Sequence, residues 1–294
     1  RISQGIGVRG GLIHRLAWMA AACVVLAGCG ARTDPQSVSV SSARRVICGT
    51  PAVAEIVFAL GCGDRVVGVS EFTDWPEEAA TVPRIGSALT PHRESILRLK
   101  PDLILSQGKS EALEKVARSQ GEGFLSFPLD TLADLRAAIT GFAMVLGVEE
   151  QGRILLERME KDFADIPACR SVSVFIALGH APGDLSGLMT SGPGTFLNEL
   201  VSKAGGSNIF SDVNTLWPKI SQESLIRRQP SLLLDFQPGP MEEDRRAALL
   251  DDWVKLGFQE GQVRLLTEEF LLKPGPRAAQ SVACLAQAIC KNGF

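Results

Sequence analysis

The residues able to do chemistry are few and widely spaced. His92 and His180 lie 88 residues apart, with no other histidine beyond residue 14. Two histidines so separated give no local metal spacing, and each reads equally as a polar loop residue. There is no Gly-x-Ser-x-Gly, His-Glu-x-x-His or phosphate-loop pattern. Gly5-Ile6-Gly7-Val8-Arg9-Gly10 matches the dinucleotide fingerprint in letters, but it sits among basic leader residues with no strand before it. Acidic residues are plentiful but form no acid/base pair. What stands out is aromatic: Phe72, Trp75-Pro76 and Trp217-Pro218, in loops that also hold His92 and His180. Exposed rings beside proline suit a large, partly flat ligand, and equally could cap a lobe's core. This leans toward binding. A metal-dependent enzyme or cofactor-insertion protein remains the alternative from another class, and would need clustered His, Cys or carboxylate ligands.

Two glutamates invite a second question. Residues 94–105, ESILRLKPDLIL, and 223–234, ESLIRRQPSLLL, agree at six of twelve positions. Each reads as a short helix stopped by proline and followed by an apolar strand. Glu94 and Glu223 fall in the first helical turn, where the helix dipole favours negative charge. Thr90 and Ser221 are the expected caps. Position alone therefore accounts for both acids.

The elements that would carry these residues alternate. Strands are expected at 46–49, 65–69, 103–106 and 123–127, with helices between. The longest uninterrupted helical pattern, Glu149–Ile166, comes next, and the alternation then restarts at Ser173–Leu178 and runs to a last helix at Arg277–Cys290. Such alternation favours parallel sheets covered by helices. The similarity between the halves extends to Glu55-Ile56-Val57 with Gly61 against Glu199-Leu200-Val201 with Gly205. The expected organisation is two similar α/β lobes, 44–148 and 169–294, joined by one stiff helix at 149–168. The ligand would lie in the crevice between them, lined by loops 70–91, 179–194 and 211–221 at the strands' C-terminal ends.

Composition agrees with a folded, exported chain. At 294 residues, 45% hydrophobic and 21% charged, it can bury a sizeable core. Residues 1–28 carry three Arg and no acid, which leaves a net charge of −6 beyond them and no basic run to hold nucleic acid. A basic start and the thirteen-residue apolar stretch LAWMAAACVVLAG read as a signal peptide at 1–28. Small residues run into Cys29 there, as in a bacterial lipobox, so Cys29 is the expected lipidation site and 29–43 a polar tether. Five cysteines follow, Cys48, Cys62, Cys169, Cys284 and Cys290, with no Cys-x-x-Cys; the odd number leaves at least one unpaired.

The runs GCGDRVVGVSEFTDWPEEA, SGPGTFLNELVSKAGGSNIF and WPKISQESLIRRQPSLLL, together with the 94–105 segment, resemble the class III substrate-binding proteins of bacterial ABC importers. The similarity spans about residues 44–290. It implies a non-enzymatic receptor without a cofactor of its own, expected to be a monomer. It would capture cobalamin or another corrinoid, or else a ferric siderophore or haem, and deliver it to an ABC importer permease dimer. It would sit on a bacterial membrane, facing the periplasm or cell exterior. FTDWPEEA, WPKISQES and LTEEFLLKPGPR resemble the family's cobalamin binders. The resemblance makes Glu94 and Glu223 permease-docking charges, one per lobe. It implies ligand contacts at Phe72, Trp75, Ala88, Trp217 and Glu269, with no protein metal site; His92 and His180 join the expected contacts through their place in the crevice loops. Ala88 stands where the resemblance implies a tryptophan, and Glu269 where it implies Asp. The disulfide it implies would fall near Ala204 and Ala286, and so is not expected. The sequence has no tyrosine, which argues against tyrosine ligation of haem iron.

Overall fold

A computed structural model describes residues 43–167 and 169–290. Cys29, the leader and nearly all of the tether lie outside the described residues.

The first lobe runs β1 (Val46–Cys48), α1 (Pro51–Ala59), β2 (Val66–Val69), α2 (Arg93–Leu99), β3 (Leu103–Gln107), α3 (Glu111–Gln120), β4 (Gly123–Phe127) and α4 (Leu132–Leu146). Its strands are all parallel, in the order β2-β1-β3-β4. After α5 (Glu149–Ala164) the second lobe repeats the plan: β5 (Val172–Leu178), α6 (Phe196–Lys203), β6 (Gly206–Asn208), α7 (Gln222–Arg228), β7 (Leu232–Phe236), α8 (Glu243–Lys255), β8 (Val263–Leu266) and α9 (Ala278–Cys290). The order is β6-β5-β7-β8, again all parallel. The two-lobed α/β reading therefore holds.

Local chemistry sets the helix limits. Thr50 caps α1 through its side chain, with Pro51 in the first turn where no N–H is needed. Thr131 and Asp134 form a reciprocal capping box on α4. Ser221 caps α7 as expected, accepting from Ser224 N at 3.2 Å. Thr90 does not cap α2: His92 takes that place without a side-chain bond, and the Thr90 hydroxyl pairs with Ser87 at 2.8 Å. Both short helices end on a left-handed residue, Lys100 (φ 46°) and Gln229 (φ 43°), immediately before Pro101 and Pro230. Proline cannot continue the helix, and it disfavours the α conformation in the residue before it.

α5 is two residues shorter than the sequence suggests. At 16 residues it is about 24 Å long. It buries Gly152, Leu155 and Met159 on one stripe and packs against α4 and α9. On its exposed face Arg153 pairs with Glu150 and Glu157, at the spacing that stiffens an isolated helix.

The largest apolar cluster crosses the lobe boundary. It runs from β1, α1 and α4 through α5 to β5, α6 and α9. Smaller clusters cover the other faces: Ile47, Ile96 and Ile104 in the first lobe, and Phe175, Leu233 and Trp253 in the second. A disulfide joins Cys169 to Cys290, 121 residues apart, which ties the beginning of the second lobe to its last helix. This pair lies elsewhere than the Ala204/Ala286 positions. Cys48 and Cys62 are free and buried, and Cys284 is free and half-buried.

Candidate functional site

The β2–α2 loop is held from behind and open in front. Ser70 and Thr73 are buried and share a 3.1 Å hydroxyl contact. Arg84 Nη1 donates to the carbonyls of Thr73 (2.7 Å) and Ser70 (3.3 Å). Glu71 N donates to Gly86 O at 3.0 Å, closing the loop on itself. Between these anchors Phe72 is 66% exposed and Trp75 47%. Rings of that size left in water on a firmly anchored loop are available surface rather than core.

The second lobe presents its tryptophan differently. The β5–α6 loop is zipped to segment 215–219: Gly192 N donates to Leu216 O at 2.8 Å and Thr190 N to Pro218 O at 3.0 Å. A Cβ on Gly192 would lie 2.0 Å from Thr215 O, so this close approach requires glycine. Asn208 Nδ2 ties the loop to β6 by donating to Ser191 O (2.6 Å). Trp217, on the zipped segment, is 45% exposed.

The remaining sequence candidates separate. His92 is exposed at the start of α2. Ala88 is half-buried against the Ile47 cluster, beside the exposed Leu89. Glu94 and Glu223 are both exposed, each in the first turn of its helix. Glu269 is exposed and pairs with Lys273 at 3.1 Å.

His180 corrects the expectation of a cleft-facing ligand contact. Its side chain is fully buried, edge-on to Trp253 (5.1 Å between ring centres), with Nδ1 3.5 Å from Asp235 Oδ1. Trp253 Nε1 donates to Asp235 Oδ2 at 2.8 Å, and Gln237 Nε2 donates to Asp235 Oδ1 at 3.0 Å. A buried carboxylate needs such donors, and tryptophan and glutamine supply them. Among the described residues no cluster of three or more His, Cys, Asp or Glu side chains is placed to hold a metal ion.

Sequence reading missed four residues that join the lobes at the Trp75 loop. Lys273, from the second lobe, reaches both carboxylate oxygens of Asp74 at 2.7 and 2.8 Å. Burial pushes the Asp74 carboxyl up, but hydrogen bonding with Glu269 and Lys273 and the Lys273 charge hold it below its usual value. Arg277 grips the buried Glu55 of α1, and its guanidinium carbon lies 4.9 Å from the centre of the Trp75 ring. In the run LTEEFLLKPGPR only the acid Glu269 stands out as a candidate contact. Its two cations find partners about 200 residues away, which no local pattern reveals.

Two cavities lie among the described residues, one at this junction and one apart from it. One, of about 300 Å³, lies where Trp75 and Arg277 meet Leu155 and Met159 of α5. The other, of about 410 Å³, runs along the β6 edge beside Cys169 and is lined mainly by serine, asparagine and glycine. Both are at the small end for ligand sites, and neither could enclose a corrin-sized macrocycle.

The sequence profile described as periplasmic binding protein matches residues 46–236. This chain belongs to the periplasmic binding protein family. As such a protein it has curated relatives of nearly its own length. It is 34% identical over 269 residues to the vitamin B12-binding protein of Pectobacterium carotovorum subsp. carotovorum (strain PC1), covering 85% of this chain and 88% of that one. It is 28% identical over 250 residues to the vitamin B12-binding protein of Vibrio cholerae serotype O1, covering 82% and 87%. Among solved structures, the periplasmic vitamin B12 binding protein BtuF of Vibrio cholerae aligns with a TM-score of 0.64 and 26% identity over 85% of this chain and 99% of that one. The periplasmic haem-binding protein BhuT, in complex with two haems, aligns with a TM-score of 0.69 and 26% identity over 84% and 98%. The family consists of substrate-binding proteins, and among the described residues of this periplasmic binding protein no helix is long and apolar enough to cross a membrane.

Proposed function

We propose that this protein captures cobalamin or a related corrinoid outside the cytoplasm and hands it to the permease dimer of an ABC importer. The observation that carries the reading is the pair of tryptophans, Trp75 and Trp217, exposed on anchored loops of opposite lobes and each followed by proline. Two large rings on two lobes suit a broad, flat macrocycle better than a small polar solute. The 34% identity to a vitamin B12-binding protein supports it. Phe72, Ala88, His92 and Glu269 complete the contact set, Ala88 leaving room where a larger side chain would narrow the site. His180 acts behind the loop rather than on the ligand. The chelate is cargo, and the receptor needs no cofactor or metal of its own. Cys29 carries the lipid anchor, and the receptor works as a monomer.

Glu94 and Glu223 serve as the docking charges. They lie on corresponding helices of the two lobes, both exposed, so one partner could grip both lobes at once.

Titration calorimetry with cyanocobalamin, cobinamide, a ferric siderophore and haemin decides the ligand. Saturable binding of the two corrinoids alone is the expected result. Preference for haemin or the siderophore would move the assignment within the family, and binding of none would remove it. For docking, the Glu94→Ala/Glu223→Ala double variant should bind ligand normally but lose most uptake in cells. Normal uptake by that variant would overturn the docking role.

A further inference from the structure

The duplicated halves place a glutamate at the same point of corresponding helices, Glu55 on α1 and Glu199 on α6. Both leave their own lobe. The Glu55 carboxylate accepts from Arg277 Nη2 (2.5 Å) and Nε (3.0 Å), 222 residues away. Glu199 Oε2 accepts from Leu132 N at 2.7 Å. Arg277 immediately precedes α9 and Leu132 opens α4, so each glutamate reaches the start of the opposite lobe's last helix. The exchange is two-fold in pattern and unequal in chemistry. On the Glu199 side a backbone N–H completes the contact. On the Glu55 side a guanidinium stands between the carboxylate and two rings, Trp75 at 4.9 Å and Phe270 at 5.2 Å.

The Glu55 arrangement is built closely. Its side chain is 3% exposed, and a Cβ on Gly275 would lie 3.0 Å from Glu55 Oε2. The planar fork of Arg277 is fixed by the bidentate contact, and its guanidinium carbon lies over the indole. Trp75 belongs to the first lobe and Arg277 to the second, so the ring is held from across the boundary.

We propose that Glu55 and Arg277 are a positioning pair for the Trp75 ring. Glu55 aligns the guanidinium, and the guanidinium holds the indole in the orientation that meets the ligand. Glu199 joins the lobes through a backbone N–H with no guanidinium between it and Trp75, and so serves as the internal control. The inference rests on Trp75 being a ligand contact, but the holding of the ring is testable without ligand.

The experiment uses the exported, processed protein labelled with 5-fluorotryptophan, which carries Trp75, Trp217 and Trp253. The fluorine resonances are assigned with Trp75→Phe and Trp217→Phe. In Arg277→Lys and Glu55→Gln the Trp75 resonance should shift and broaden while Trp217 and Trp253 stay in place. Glu199→Gln should leave all three unmoved. Lysine keeps the charge but not the planar fork, so a change in Arg277→Lys reports alignment and not charge alone. Cyanocobalamin affinity should fall about 3- to 10-fold in Glu55→Gln and Arg277→Lys, the size expected when one immobilised side chain is freed. An unmoved Trp75 resonance in both variants overturns the proposal, as does an equal shift in Glu199→Gln. If the wild type binds no corrinoid, the ligand reading falls while the fluorine spectra still decide whether the pair holds the ring.

Discussion

At the scale of single residues, buried polar groups set the consequences. Asp235 is fully buried and takes its donors from Trp253 and Gln237. Trp253→Phe keeps most of the packing but strips one donor from a buried carboxylate. It should cost about 1–3 kcal/mol, read as a lower urea midpoint at unchanged slope. At the opposite extreme, the exposed Asp74–Lys273 pair should contribute no more than about 1 kcal/mol. Its pH dependence has a definite sign. The Asp74 carboxyl is held below its usual value when folded, so the contribution is complete above the ordinary carboxylate pKa of about 3.9 and is lost as pH falls through the lowered value. Lys273→Met should therefore lie below wild type in stability at pH 7 and converge with it as pH falls through the lowered Asp74 value, as read by denaturant titrations across the acid range. The sequence made the exposed tryptophans legible because each sits with proline in a polar loop. It hid His180, because the residues that bury it, Asp235 and Trp253, come from β7 and α8.

At the scale of elements, the twice-used helix–proline–strand unit was legible because every part of it is local. Glu in the first turn, proline after the last, and an apolar run beyond specify α2–β3 and α7–β7 without help from the rest of the chain. Its hidden feature is the left-handed stop at Lys100 and Gln229, a conformation that costs a side-chain-bearing residue about 1–2 kcal/mol. Lys100→Gly and Gln229→Gly should each raise stability by about 0.5–1 kcal/mol, with the double variant close to additive because the sites lie in different lobes. Thermal unfolding of the three variants is the check, and a fall in melting temperature would count against the strain. The element that sequence did not reveal is β6. Gly206-Ser207-Asn208 has no apolar alternation, and it is a strand only because β5 pairs with it in parallel register. The expected Thr90 cap failed for a related reason, since that hydroxyl is engaged inside its own loop by Ser87.

At the scale of the whole molecule, the two lobes share one apolar cluster, crossed by α5 and by the Glu55, Glu199 and Lys273 contacts. Changing the angle between them would expose that cluster, so ligand-induced movement should be small. Scattering curves with and without saturating cyanocobalamin should superimpose, and a marked drop in radius of gyration would refute the rigid arrangement. The repeat made this architecture legible. The cysteine pairing was not legible, because five thiols of unrelated spacing allow many partners and only the packing of α9 against α5 and α6 selects one. Removing the bridge by Cys169→Ser/Cys290→Ser should cost about 2–4 kcal/mol in denaturant titration. The bridge also bears on the order in which an exported chain can be finished. The first lobe's strands are complete by Phe127, and Cys48 and Cys62 are buried in the apolar cluster that the two lobes share. Cys169 emerges with its partner 121 residues behind it. Burial withdraws Cys48 and Cys62 from exchange, so among the described residues the half-buried Cys284 is the free thiol left to compete for Cys169, and it emerges six residues ahead of Cys290.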